Sequence, residues 1–171
     1  MMDVRYINPF MRSVANATQT MLGIEAQALQ PIVKKENRAH GDVSGIIGIA
    51  SANIYGSVAI SMPSETAVEL FNKMMGDTVT EITDDVRDMV GEFTNIVAGS
   101  AKKDLAEMNL SFDISIPTVV VGKNHIISHK GGIPVVVIPF QFGKYGFEME
   151  ISIKPRVEEH NMAPVVSGRA G

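Results

Sequence analysis

Glu92 and Asn95 stand three residues apart in the stretch Asp84 to Asn109, DDVRDMVGEFTNIVAGSAKKDLAEMN. On a helix, a carboxylate at i and a carboxamide at i+3 project side by side. The carboxylate can pair with a cation or accept a proton. The amide offers an acceptor oxygen and N–H donors, which is what holding a water in a fixed orientation requires. Neither group is a good nucleophile, and no serine, histidine and aspartate set accompanies them. The chemistry that suits them is the positioning of water against an electrophile supplied by another molecule. The bare pattern recurs as Glu69-Leu-Phe-Asn72 and as Glu158-Glu-His-Asn161, so spacing alone does not select the site.

A helix must position the pair. Apolar residues recur at Val86, Met89, Val90, Phe93, Ile96, Val97, Ala101, Leu105 and Met108. That is the spacing of one helical face sustained over about seven turns. Thr83 is the expected N-cap, and Asp84 and Asp85 fall in the first turn, where the helix dipole favours negative charge. On the opposite face Asp88, Glu92, Asn95 and Gly99 form a narrow stripe. Gly91 and Gly99 inside a helix each cost about 1 kcal/mol relative to alanine. Both are expected, with Ala98, on the side away from the core, leaving low ground around Glu92 and Asn95 for a partner. A solvated face that merely tolerates two glycines is the competing reading.

The whole chain has 171 residues, 45% hydrophobic and 20% charged, with a net charge of −4. This composition is that of one globular domain able to bury a sizeable core. The acidic balance does not indicate a nucleic-acid surface. Absence of cysteine excludes disulfides and thiolate chemistry and fits a reducing compartment. The start, MMDVRYINPF, carries no signal-peptide pattern, and no apolar run nears the roughly 18 residues that span a bilayer. The expectation is a cytoplasmic protein with one domain over residues 1–154 and a dispensable tail over 155–171.

Along the chain, Asn8-Pro9 reads as a helix opening, followed by a stripe from Phe10 to Leu22 that ends at Gly23. Ala28 to Lys34, interrupted by Pro31, reads as an edge strand. Val43 to Ala50 and Ile54 to Met62 form a hairpin through Ser51-Ala52-Asn53. Pro63-Ser64 opens a second helix that Gly76 closes. After the central helix come a strand candidate over Phe112 to Val121 that carries Pro117 and a glycine-bounded loop with a possible short strand at His125 to Ser128. A hairpin of Ile133 to Phe142 and Tyr145 to Lys154 follows. In its second strand Phe147, Met149, Ile151 and Ile153 alternate with Glu148, Glu150 and Ser152, so one face is expected to be wet. The fold class is α+β, long helices packed on an antiparallel or mixed sheet. Laying Asn16 over Asn95, and so Ser13 over Glu92, suggests an internal α-β-β-β repeat whose first copy lacks the carboxylate.

The longer pattern Asp88-x-x-x-Glu92-x-x-Asn95-Ile96-x-x-Gly99 resembles the signature helix of the CheC/CheX/FliY phosphatases of bacterial chemotaxis. Those signatures carry Asp or Ser four residues before the Glu and a Pro a little over twenty residues after the Asn. Pro117 lies at about that distance. The element order over residues 1–154 is similar to the family, and the single Glu/Asn helix resembles its CheX type. The resemblance implies removal of the phosphoryl group from the aspartate of a CheY-like response regulator. Glu92 would contact the receiver's lysine and Asn95 would orient the attacking water, with Asp88, Gly91 and Gly99 facing the partner. It implies no cofactor of this chain's own, the Mg²⁺ belonging to the receiver, and a homodimer through a continuous sheet.

Other motifs compete weakly. His125 and His129 have a spacing that suits a metal on a helix, but Gly122, Gly131 and Gly132 argue for a loop and no third ligand is evident. Gly122-Lys123 lacks the glycines and hydroxyl of a phosphate loop. The eleven methionines fall mostly at core positions. The main alternative function is a non-catalytic module that docks on a receiver or flagellar switch. An independent small-molecule hydrolase would lack a nucleophile.

Overall fold

The computed structural model describes residues 4–129 and 132–155. Three helices, α1 (Val4–Leu22), α2 (Ser64–Met75) and α3 (Asp84–Glu107), pack on one face of an antiparallel sheet. Its strands are β1 (Gln27–Ala28), β2 (Ile32–Val33), β3 (Val43–Ala50), β4 (Ile54–Met62), β5 (Asp113–Ile114), β6 (Thr118–Val121), β7 (Val136–Phe142) and β8 (Tyr145–Pro155). The order is β1-β7-β8-β4-β3-β5, with β2 also on β7 and β6 also on β3. The long strands β3, β4, β7 and β8 are therefore all internal. Both edges consist of short pieces.

Each edge is one strand broken by a bulge at its proline. Ala28 opposes Phe140 and Ile32 opposes Val137, so the outer chain carries one extra residue in the segment that holds Pro31. Ile114 opposes Ile49 and Thr118 opposes Ile46, giving the same excess beside Pro117. A proline has no N–H for the ladder, which confines it to such positions. Between β5 and β6, Ser115 repairs the ladder. Its N–H donates to the Gly48 carbonyl, and its hydroxyl accepts from the Gly48 N–H, both at 2.9 Å.

The internal repeat is visible in this topology. Helix, broken outer strand and hairpin occur twice, as α1–β1/β2–β3–β4 and α3–β5/β6–β7–β8. Each broken strand crosses to the hairpin of the other unit, and β4 meets β8 in the middle. The burial pattern corrects the expected register by one residue. Pro9, Phe10, Ser13, Val14, Ala17 and Thr18 are buried in α1, as are Met89, Val90, Phe93, Thr94, Val97 and Ala98 in α3. Arg12, not Ser13, therefore occupies the place of Glu92, and Ala15 that of Asn95. Ser13 is turned inward, its hydroxyl donating to the Pro9 carbonyl at 2.8 Å.

Further expectations differ from the structure. Asn8 and Pro9 lie inside α1 rather than at its start, because buried Ile7 extends the apolar stripe upstream and packing holds the first turn. The Glu148/Glu150/Ser152 side of β8 is not wet: Glu150 is 1% exposed and Ser152 is fully buried. The segments around residues 34–40 and 125–129 cover that face, joined by a bridge between Arg38 and Ile126, with Ala39, Ala59 and Ile127 as a second small core. Lys34 Nζ lies 2.5 Å and His129 Nε2 2.8 Å from the Glu150 carboxylate. No ordered strand forms at His125 to Ser128 beyond that bridge. The expected tail begins one residue too early, since β8 runs through Pro155, and its remainder lies outside the described residues.

Candidate functional site: the exposed stripe of α3

Helix α3 starts where the sequence indicates. The Thr83 hydroxyl accepts from the Val86 N–H at 3.2 Å, one of the orphan donors of the first turn. Its buried side is Val86, Met89, Val90, Phe93, Val97, Ala101 and Leu105. Phe93 meets the Phe147 ring edge-on at 5.9 Å, which anchors the helix to β8 at the level of the Glu/Asn pair. Thr94 sits directly over Gly45 of β3. A Cβ on that glycine would lie 2.2 Å from the Thr94 hydroxyl, so the close approach of helix to sheet requires glycine there.

Gly91 and Ala98 do not lie where the sequence placed them. Both are buried on the side of α3 that faces the sheet edge. A Cβ on Gly91 would come within 3.1 Å of Val119 and 3.9 Å of Pro117. Gly91 therefore admits β6 rather than a partner. The α3 face is wider than a single stripe because the helix packs on β3 and also against the β5/β6 edge. Conversely, Ile96 and Met108, counted as core, are 37% and 41% exposed. Ile96 joins the outer stripe beside Asn95.

Asp88 and Glu92 are exposed, and Asn95 and Gly99 are half-exposed. Among the described residues neither the Glu92 nor the Asn95 side chain has a hydrogen-bond or ion-pair partner within the chain. Gly99 has open space where a Cβ would stand. The carboxylate and the amide thus stand free over low ground, held from beneath by a rigid helix. The other described match to the pattern is engaged. Asn72 donates to the Val79 carbonyl and accepts from its N–H, both at 2.9 Å, and Glu69 pairs with Lys73 at 3.2 Å. Asn72 thereby staples α2 to the following connection. Glu158 and Asn161 lie outside the described residues.

Two apolar features flank the stripe, and sequence reading missed both. On one side the β5/β6 bulge turns Ile116 outward to 87% exposure. Pro117 lies over Gly91 and Asp113 pairs with Lys102 at 3.1 Å, so the bulge that carries Ile116 borders α3 between those two positions. The adjacent Pro117 was the available signal. On the other side Phe71, Met74, Met75 and Met89 form a groove that reaches Glu92. Met75 is 65% exposed, an exception among the described methionines, most of which lie in or against the core.

The histidines serve the far face of the sheet. His125 Nδ1 lies 2.7 Å from the Gly122 carbonyl and its Nε2 2.7 Å from the Ser44 hydroxyl. Glu150 can only accept, so His129 Nε2 carries a proton, and its Nδ1 faces the Ser57 hydroxyl at 2.7 Å. Both rings are structural hydrogen-bonding groups in separate places, and among the described residues no carboxylates and histidines gather as a metal site.

A family model described as chemotaxis phosphatase CheX matches residues 43–141, which include α2, α3 and both central hairpins in whole or part. The CheY-P phosphatase CheX of Thermotoga maritima is 30% identical over 154 residues, covering 90% of this chain and 98% of that one. A CheC-like superfamily protein from Shewanella sp. PV-4 is 39% identical, with a TM-score of 0.84 over 90% of this chain and 99% of that one. The CheX–CheY–BeF3–Mg²⁺ complex from Borrelia burgdorferi contains a chain 29% identical to this one, with a TM-score of 0.74 over 89% and 99% of the two. With the Glu/Asn helix on the expected fold, the chain belongs to the CheX family of chemotaxis phosphatases.

Proposed function

We propose that this protein dephosphorylates the aspartyl phosphate of a CheY-like response regulator, with Glu92 and Asn95 as the catalytic pair. The observation that carries the reading is the free carboxylate and amide, side by side on a rigid helix, in a chain of the CheX family. Asn95 holds a water between its carbonyl oxygen and N–H groups and aims it at phosphorus, in line with the aspartyl oxygen. Water forms the new P–O bond, the bond from phosphorus to the aspartyl oxygen breaks, and inorganic phosphate and a free carboxylate leave. Glu92 pairs with the receiver's lysine and fixes the docked geometry. Mg²⁺ belongs to the receiver, where it neutralises charge on the phosphoryl oxygens. Asp88, one turn before Glu92, and Gly99, one turn beyond Asn95, lie beneath the docked partner.

A homodimer joined edge to edge and a cytoplasmic location belong to the same proposal. The outer sides of β2 and β6 carry exposed Ile32, Val33 and Val121, which supports an edge contact. Among the described residues no helix is long and apolar enough to cross a membrane. The deciding experiment follows phosphate release from a panel of phosphorylated CheY-type receivers with and without the protein. Acceleration of one receiver's loss of phosphate supports the proposal. Binding without acceleration makes the protein a docking module instead.

A further inference from the structure

The groove that ends at Glu92 runs between the last turn of α2 and the first half of α3, with a volume of about 480 Å³. Its floor is Phe71, Met74 and Met89, Met75 lines its open end, and its rim is Asp77, Asp85, Asp88 and Glu92. No lysine, arginine or histidine lines it. Part of this charge has a local cause. Asp84 and Asp85 stabilise the positive end of α3, and Asp84 pairs with Arg87. That cause does not extend to Asp88, a turn further in, nor to Asp77 on the connection after α2, whose carboxylate accepts the Thr78 N–H at 2.7 Å, a bond that does not require the charge. The carboxylates are strung out along the rim, and among the described residues they form no converging metal site. Acceptors spaced in this way suit several separate N–H donors. A floor of unbranched, polarizable thioethers adapts to an inserted apolar side chain.

We infer that this groove is a second docking point for the phosphorylated receiver, taking an apolar side chain flanked by lysine or arginine on the receiver's surface. The groove is continuous with the stripe of Glu92, so the inference rests on the proposed receiver binding. Along α3, Asp85 lies roughly 10 Å from Glu92, so a receiver engaged by its lysine at Glu92 reaches the groove with neighbouring surface. Basic residues on that surface meet the rim, and the groove selects which receiver is served without touching the reacting atoms. The chemistry stays with Glu92 and Asn95.

The test uses the full chain and the CheY-type receivers of its own cell. Receivers are phosphorylated for turnover and activated with beryllofluoride for affinity. D77N/D85N removes rim charge at exposed positions while keeping the shape of both side chains. It should raise KM and Kd about tenfold at low ionic strength, with kcat unchanged and the difference largely gone at high salt. M75Q, at the solvent-facing end of α2, should raise both several-fold at any salt concentration. Unchanged KM and Kd in both variants, or a parent affinity insensitive to salt, would overturn the inference. A parent that binds a receiver but does not turn it over removes the catalytic proposal, while the variants' Kd still decides the groove. A parent that binds no receiver removes both.

Discussion

Glu92 and Glu150 are both carboxylates on regular elements, each flanked by polar neighbours, yet they have opposite environments. Glu92 stands exposed on α3 with no partner among the described residues. Glu150 is 1% exposed and holds Lys34 on one oxygen and His129 on the other. Burial drives the Glu150 carboxyl toward its neutral form, but hydrogen bonds from His129 and Lys34 outweigh it and hold the pKa below the ordinary range. Both Glu150 oxygens are committed to joining loops to the sheet, although the neighbouring Ser152 hydroxyl is buried without a partner among the described residues. Glu92 and Asn95 on α3 are committed to nothing among the described residues. A polar pair left unsatisfied on a rigid element is available to another molecule, and a satisfied one is part of the architecture.

That contrast can be broken by exchange of effects. Glu150→Ala is expected to have the largest effect on stability, about 3–5 kcal/mol, because it leaves Lys34 charged and buried without its partner. Chemical denaturation measures the loss, and turnover per folded molecule should be unchanged. Since the folded Glu150 pKa is depressed, its stabilisation is present above the ordinary carboxylate range and is lost as pH falls through and below it. The parent should therefore weaken on acidification more than E150Q does. Loss of turnover in folded E150Q would tie the two faces together and remove the contrast.

A smaller loss, about 0.5–2 kcal/mol, is expected for Asp42→Ala. Helix α2 has no capping side chain at Pro63, and Asp42 from β3's entry supplies the acceptor instead. The Ser64 N–H and hydroxyl each donate to it at 2.9 Å and hold its pKa down. The melting temperature of D42A beside that of D42N measures the cap. Equal melting of D42A and the parent would show that the bonds carry no net stability. The smallest effect on stability is expected at Gly99→Leu, a gain of up to about 1 kcal/mol from helix propensity, since a Cβ meets nothing there. Receiver affinity should nonetheless fall by steric exclusion. Titration that finds G99L as tight as the parent would take Gly99 out of the docking surface.

How much was legible in the sequence varies with what fixed each feature. The hairpins and the span of α3 follow from periodicity, and Thr83 and Gly76 end their helices as their residue types imply. The outward placement of Glu92 and Asn95 was legible from helical spacing, while preferring them to the other Glu/Asn matches took the longer pattern from Asp88 to Gly99. Gly91 was misplaced because helical spacing does not tell how many surfaces a helix packs on. A neighbouring edge strand, Val119 with Pro117, takes the side assigned to solvent. Glu150 was misread for the same reason: alternation marks two faces of a strand, but not whether distant loops cover the second. Ile116 is exposed by a bulge whose register depends on its pairing with β3. These are tertiary facts, absent from local pattern.

The central claim is that Asn95 acts on water and not on the fold, and Asn95→Ala tests it most directly. Alanine is the better helix former by several tenths of a kcal/mol, and the amide has no partner to lose among the described residues. Unfolding free energy should be kept or slightly raised, and affinity for a beryllofluoride-activated receiver should persist through Glu92 and the surrounding surface. Phosphate release at saturating phosphorylated receiver should fall by about 10²–10⁴. Turnover at the parent rate, or a loss of affinity that accounts for the whole loss of rate, would contradict the account.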